Sequence, residues 1–343
     1  ASVIVLGLNI YEHEFGHYLL AKLTGIRVEE FSLGMGPKVV GKKWGETFYS
    51  IRALPLGGFC KMSGETGNEE YRSAAQPDSR RFDQKPIWVR MSVIFAGPLM
   101  NFLLAIVLFS MIFAVLGIPQ ELTTEIGSVM DNEAADKAGL RPGDRIVRIN
   151  NQPVDTWQDL VGIIHANAGN RLELEVEREG KTFEVNIVPR LDPENKVGII
   201  GIKPAEIKWK KIGLIQAVKI GVDRTYEISR LTLAGLFEMI TGKASAEGIA
   251  GPVGILQLIG ESAKIGFIYL VNLTALISIN LGLLNLVPIP ALDGSRLLFL
   301  FVEALRGRPV NPARENFVHL VGFVLLMILM VIITYRDILR IFG

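Results

Sequence analysis

Apolar residues in this chain form two kinds of pattern. Long runs occupy residues 1–22, 92–117, 267–287 and 317–335, each near the roughly 20 residues that cross a hydrocarbon core of about 30 Å. The second run has no charged residue from Met91 to Gly117, and the fourth, FVHLVGFVLLMILMVIITY, carries only His319 near one end. A further stretch at 212–240 is long enough for a helix, but Lys219, Asp223, Arg224, Glu227, Arg230 and Glu238 would be costly in lipid. It is expected to be an amphipathic or surface helix. Between the second and third runs the pattern changes. DRIVRIN and RLELEVERE with FEVNIVP alternate as half-buried strands, and TWQDLVGIIHANA has helical spacing, which predicts a compact α+β module within 118–203.

Composition supports a membrane protein with one polar insert: of 343 residues 49% are hydrophobic, and mean hydropathy is +0.34. The formal net charge of +1, with no long basic run, gives nothing for nucleic acid to bind. Cys60 is the only cysteine, so neither an intrachain disulfide nor a cysteine zinc cage is open to this chain. The sequence begins at Ala1, already apolar and without methionine, so the native start is expected to lie elsewhere; a cleavable signal peptide is not expected, because the first run holds candidate ligands. Basic residues cluster between the first and second runs (Arg27, Lys38, Lys42, Lys43, Arg80, Arg81, Lys85, Arg90) and between the third and fourth (Arg296, Arg306, Arg308, Arg314). None follows Gly117 until Lys137. Those two loops are expected to be cytoplasmic, with the 118–265 insert and both termini on the other side.

The first run contains His13-Glu14-Phe15-Gly16-His17. At 3.6 residues per turn both imidazoles share a helix face, and Glu14 can reach water on a metal held between them, as in zincins. Ionisable groups in an apolar segment usually face a cavity or a partner, which argues against a chance occurrence. A catalytic zinc needs a third protein ligand and an open position. No His or Glu follows His17 closely, so that ligand is sought far along the chain. NLGLLNLVPIPALDGSRLL places Asp293 just after the third run, where Pro288 and Pro290 interrupt regular helix. The expected topology brings Asp293 and the His13/His17 pair to the same depth, although an Asp in a D-G turn is otherwise an ordinary loop residue. TFYSIRALPLGGFCKM, with aromatic and β-branched residues around a proline and two glycines, suggests a hairpin or looped sheet that could pair with an extended substrate or merely cover the metal site.

The run from Ala135 to Asn150, A-x-x-A-G-L-x-x-G-D-x-I-x-x-I-N, resembles the PDZ domains of bacterial membrane proteases. Together with H-E-x-G-H, FSLGMGP at 31–37, PLGGFCKM at 55–62, AGPLMNFLLA at 96–105, GPVGI at 251–255 and NLVPIPALDG at 285–294, it makes nearly the whole chain resemble the RseP-like site-2 proteases. The single PDZ copy looks more like the Gram-positive type. The resemblance implies a polytopic α-helical membrane protein of about four transmembrane helices, with an inserted α+β PDZ domain and a membrane-associated β-hairpin or sheet. Its parts would be a first membrane half at 1–117, an extracytoplasmic PDZ domain at 118–203, amphipathic linker helices at 204–265 and a second membrane half at 266–343. It further implies an intramembrane zinc metalloprotease of the bacterial plasma membrane, with its active site towards the cytoplasm, cutting single-span regulatory proteins such as anti-sigma factors, or signal-peptide remnants. Carried over by motif, His13, His17 and Asp293 would hold Zn2+ and Glu14 would be the general base. Asn285 would meet the substrate backbone, or merely satisfy carbonyls freed near Pro288; Pro288, Gly57 and Gly58 would line the substrate path. Asn101 tilts towards helix packing. A catalytically inactive PDZ adaptor and a metal or proton transporter are the competing readings.

Overall fold

The structure is a computed structural model describing residues 1–65, 79–119, 123–193, 195–205, 209–243 and 250–342. It forms two compact units, one of residues 1–115 with 213–343 and the other Leu116–Ile212. The first apolar run, free of proline, forms α1, Ser2–Leu23. It ends where Gly25 turns left-handed at φ +70°. There Gly25 N–H bonds the Lys22 carbonyl at 3.1 Å and Ile26 N–H bonds that of Ala21 at 2.8 Å, giving partners to carbonyls that a helix end leaves open. This reversal leads into two long strands, β1 (Val28–Trp44) and β2 (Thr47–Met62). Both bend, so Val28–Leu33 lies between two parts of β2: Phe31 faces Tyr49 on one side and Cys60 on the other. Farther out, Lys38–Trp44 pairs with residues 47–52, and Val39, Val40 and Trp44 are exposed.

The second clear run forms α2, Ile87–Leu116, with Pro98 inside it. Glycines let α1 and α2 approach closely. A Cβ on Gly16 would lie 2.2 Å from the Ala96 carbonyl oxygen, and one on Gly97 would lie 2.3 Å from His17 Nε2. Close approach of this kind is how helices associate where no hydrophobic driving force separates them from lipid.

The Leu116–Ile212 unit contains β3 (Ile126–Val129), β4 (Arg145–Ile149), β5 (Gln152–Pro153), α3 (Trp157–Ala166), β6 (Leu172–Arg178), β7 (Lys181–Ile187) and β8 (Ile202–Pro204). A four-stranded antiparallel sheet has the order β5-β4-β6-β7, and β3 pairs separately with β8. Leu172, Leu174 and Val176 alternate into the core, as period two requires, and meet Trp157, Leu160 and Ile164 on one face of α3. Thr156 caps α3 by accepting the Asp159 N–H at 3.2 Å. DRIVRIN departs from strict alternation. A register shift between Ile146 and Arg148 lets both Ile146 and Ile149 point inward, three residues apart. Beneath the sheet Asp144, 1% exposed, accepts from Arg178 Nε at 2.6 Å, Arg178 Nη2 at 2.7 Å and the Arg141 N–H at 2.7 Å.

The chain then forms α4 (Leu214–Ile240), α5 (Pro252–Ile265), α6 (Phe267–Leu286), α7 (Asp293–Arg306) and α8 (Pro312–Phe342). Ala217, Gly221 and Thr225 are buried one turn apart on α4, and a Cβ on Gly221 would meet Ser110 Oγ of α2 at 2.4 Å. The GPVGI segment opens α5, whose start is capped across the fold: Asp337 of α8 accepts from Gly251 N at 3.2 Å and Gly254 N at 2.7 Å. Among the described residues, α2, α6 and residues Ala313–Arg340 of α8 are long and apolar enough to cross a membrane. The fourth expected span differs. α1 has the length, but Glu12, His13, Glu14, His17 and Lys22 lower its apolarity below that of the other three.

The Asp144 site has a definite pH signature. Burial alone would raise its carboxyl, but the Arg178 guanidinium and the Arg141 N–H outweigh burial and hold it below the usual carboxylate range. Its stabilising effect is therefore present above the unfolded carboxyl pKa, about 3.9, and is lost as pH falls through the lower folded value. Hydrogen exchange of β4 and β6 amides in the full chain, corrected for intrinsic rate, should accelerate over that acidic window. Asp144→Asn should abolish the acceleration and destabilise this unit by roughly 1.5–3 kcal/mol.

Candidate metal centre

Helix geometry alone puts His13 and His17 on one face of α1, and both are buried. What aims them is the other nitrogen of each ring. His17 Nδ1 lies 2.9 Å from the Val93 carbonyl oxygen, which can only accept, so the proton is on Nδ1 and Nε2 keeps a lone pair. His13 Nδ1 lies 2.9 Å from Asn101 Oδ1. The Asn101 amide nitrogen is turned to the Asn9 carbonyl and to Ser278 Oγ, each at 3.4 Å, and Ser278 Oγ donates to the Asn101 carbonyl at 2.8 Å. With Asn101 oriented by that network, its oxygen faces His13 and selects the same tautomer.

The carboxylate arrives from the far end of the same unit. α6 stops at Leu286 because Pro288 and Pro290 cannot continue it. The chain turns through Ala291, at φ +78°, and α7 begins at Asp293. Gly294 makes the turn tight enough: a Cβ there would lie 2.3 Å from the Val287 carbonyl oxygen. Asp293 Oδ2 then stands 3.0 Å from His13 Nε2 and 3.3 Å from His17 Nε2, and the two Nε2 atoms are 3.3 Å apart.

Three lone-pair donors pointed at one another without a proton to share repel. A cation between them turns repulsion into coordination. The observed edges also match a tetrahedral site, in which bonds of about 2.0–2.1 Å give ligand separations of about 3.3 Å. Asp293 Oδ2 is buried and has no hydrogen-bond partner, as a ligand atom kept for a metal would be. His13, His17 and Asp293 could thus hold one divalent ion, with a fourth position left for water.

Glu14 is half-buried beside the pair, and its carboxylate makes no hydrogen bond among the described residues. The looped sheet reaches it through Gly58, where a Cβ would lie 3.0 Å from Glu14 Cγ. Gly57 has φ +79°, with Met35 over it. Cys60, two residues after Gly58, is buried; that burial, and then the charges of Glu14 and Glu65, push its thiol up. Asn285 is half-buried on the last turn of α6, and no hydrogen bond joins its amide to the cluster among the described residues. Pro288 is exposed, and with Trp88, Phe95, Leu286, Gly294 and Phe301 it lines an apolar groove of about 590 Å³. Asn101 packs between helices and at the same time orients His13. Ser278 and the Val93 carbonyl had no signal in the sequence, since neither belongs to a motif.

The chain is similar to known proteins over nearly its whole length. Residues 1–329 match the profile of peptidase family M50. A relative from Clostridium acetobutylicum, provisionally named a zinc metalloprotease, is 41% identical over 337 residues, covering 98% of this chain and 96% of its own. The regulator of sigma-W protease RasP of Bacillus subtilis is 33% identical over 416 residues, covering 100% of this chain and 98% of its own. The zinc metalloprotease RasP of Geobacillus kaustophilus is 35% identical over 415 residues, with coverage of 99% and 97%.

If Asn101 orients His13, Asn101→Leu should weaken metal affinity about 10–100-fold, the usual effect of losing a hydrogen bond behind a ligand. Competition with a chelator measures this directly. Wild-type affinity in that variant would return Asn101 to a packing role.

Proposed function

The chain belongs to peptidase family M50 and is a zinc metalloprotease; from that premise we propose that it cuts peptide bonds within membrane-spanning segments, at the centre formed by His13, His17 and Asp293. The observation that carries this reading is the meeting of those three ligand atoms in a unit that also contains, among the described residues, three helices long and apolar enough to lie in lipid. RasP is named as the regulator of sigma-W protease, and single-span regulatory proteins of that kind, or remnants of signal peptides, are the substrate class proposed here. Membership in a peptidase family favours hydrolysis over the adaptor and transporter readings. α1 is read as a fourth spanning helix, the Leu116–Ile212 unit as a PDZ domain outside the cytoplasm, and the zinc centre as lying towards the cytoplasmic side of the plasma membrane. The alternation of β6 and the motif from Ala135 to Asn150 support the PDZ reading.

The roles of the residues follow from what each can do. When bound, zinc supplies Lewis-acid charge that acidifies water and polarises the scissile carbonyl. Glu14, with no competing hydrogen bond, takes the proton from the attacking water and delivers it to the leaving amine. A substrate helix hides its peptide groups in its own hydrogen bonds, so it must unwind, and the freed groups need partners. β2 offers backbone at Gly57 and Gly58, where the absence of side chains permits close approach beside Glu14. The Asn285 amide can donate to a substrate carbonyl or to the developing oxyanion. Pro288 keeps the end of α6 open for that contact.

The test uses purified protein in detergent with single-span peptides, chelator and added zinc. Glu14→Gln should keep its zinc and lose about 10²–10⁴-fold in kcat, the contribution expected of a general base. Cleavage that survives in Glu14→Gln, or in protein stripped of metal, would remove this mechanism.

A further inference from the structure

The turn carrying Asp293 is gripped from behind by α8. Ala291 is a non-glycine residue with a left-handed backbone, a conformation that persists only where surroundings enforce it. Its N–H is donated to His319 Nδ1 at 3.1 Å. One turn further along the same face of α8, Gly322 bears on the neighbouring residue: a Cβ there would lie 2.1 Å from Pro290 Cβ and 2.7 Å from the Pro290 carbonyl oxygen. Phe299 of α7 packs on the same imidazole, with ring centroids 5.8 Å apart. Because Nδ1 accepts, the ring proton is on Nε2, which is buried without a hydrogen-bond partner, 3.9 Å from Glu315 Oε1. Leucine or phenylalanine would fill this space without leaving a buried donor unpaired, an unfavourable state. The one bond the ring makes, to Ala291, is therefore what sets histidine apart at this position.

We propose that His319, backed by Gly322, is a positioning residue for the metal centre: α8 clamps the Pro290–Ala291 turn and so sets where Asp293 Oδ2 meets His13 and His17. This rests on reading Asp293 as a ligand. Only Leu292 separates Ala291 from Asp293, and α7 starts at Asp293 itself, so displacement of the turn moves the carboxylate with little slack to absorb it. A metal site is sensitive to such movement, because its ligands must converge within about 0.2 Å.

The experiment uses the full chain in detergent. Zinc affinity is read by chelator competition, and ligand geometry by the visible absorption of the Co2+-loaded protein. His319→Asn keeps an acceptor near the place of Nδ1, whereas His319→Gln puts its amide near Nε2 and His319→Leu has no acceptor. The Gln and Leu variants should bind zinc about 10–100-fold more weakly with an altered Co2+ spectrum, while Asn should stay within about 3-fold of wild type. Gly322→Ala, which pushes on Pro290 from the same helix, should shift the spectrum in the same way and serves if His319→Leu fails to fold. Wild-type affinity and spectrum in the Gln and Leu variants, or an Asn variant as weak as Leu, would overturn the proposal. Asp293→Ala separates the two claims. If it binds zinc as wild type, the ligand reading fails; if it loses zinc while His319→Leu does not, only the clamp fails.

Discussion

Three unshielded lone pairs held about 3 Å apart inside an apolar unit are the constraint around which that unit is organised. Left to themselves, two neutral imidazoles and a carboxylate would separate or take up a proton. They stay together because each is anchored on its far side: His17 by the Val93 carbonyl, His13 by Asn101, and Asp293 by a turn wedged against α6. The anchors fix the direction of each donor, which lowers the ordering needed to bind an ion.

Glycine is what makes that convergence sterically possible. Gly16 and Gly97 bring α1 and α2 close enough for His17 to reach a backbone carbonyl of its neighbour, and Gly282 lets α6 approach Pro98 and Asn101 on the other side. Gly294 folds the start of α7 under the last carbonyls of α6. A methyl group on Gly16 or Gly294 would force neighbouring backbone apart, and one on Gly97 would displace the His17 ring itself. The small residues of this unit thus act through distance, and the polar ones through direction.

The buried polar chain Asn9, Asn101, Ser278 and His13 crosses three helices. In lipid-like surroundings such groups are stable only when partnered, so the network ties α1, α2 and α6 to one arrangement. The Leu116–Ile212 unit follows different physics. Its core is an ordinary alternation of buried aliphatic residues closed over a helix, with Asp144 and Arg178 as its charged exception. One chain therefore combines a unit held together by close backbone approach and polar ties with another held together by apolar burial.

Local periodicity determined what lay within a few residues. It set the two imidazoles on one face of α1, the alternation of Leu172, Leu174 and Val176, the stop at Pro288 and the spans at α2, α6 and α8. The His-Glu-Phe-Gly-His spacing and the acid after the third run named the metal ligands as candidates, because helix pitch and donor chemistry are properties of the sequence itself. Tertiary structure alone decided which nitrogen of each ring faces the metal, since Val93 and Asn101 lie 76 and 88 residues from the rings they orient. It likewise gave His319 its partner, 28 residues away in the turn before Asp293. The physical reason is that a hydrogen bond between helices depends on their separation and rotation, and neither quantity is written in the period of a single helix.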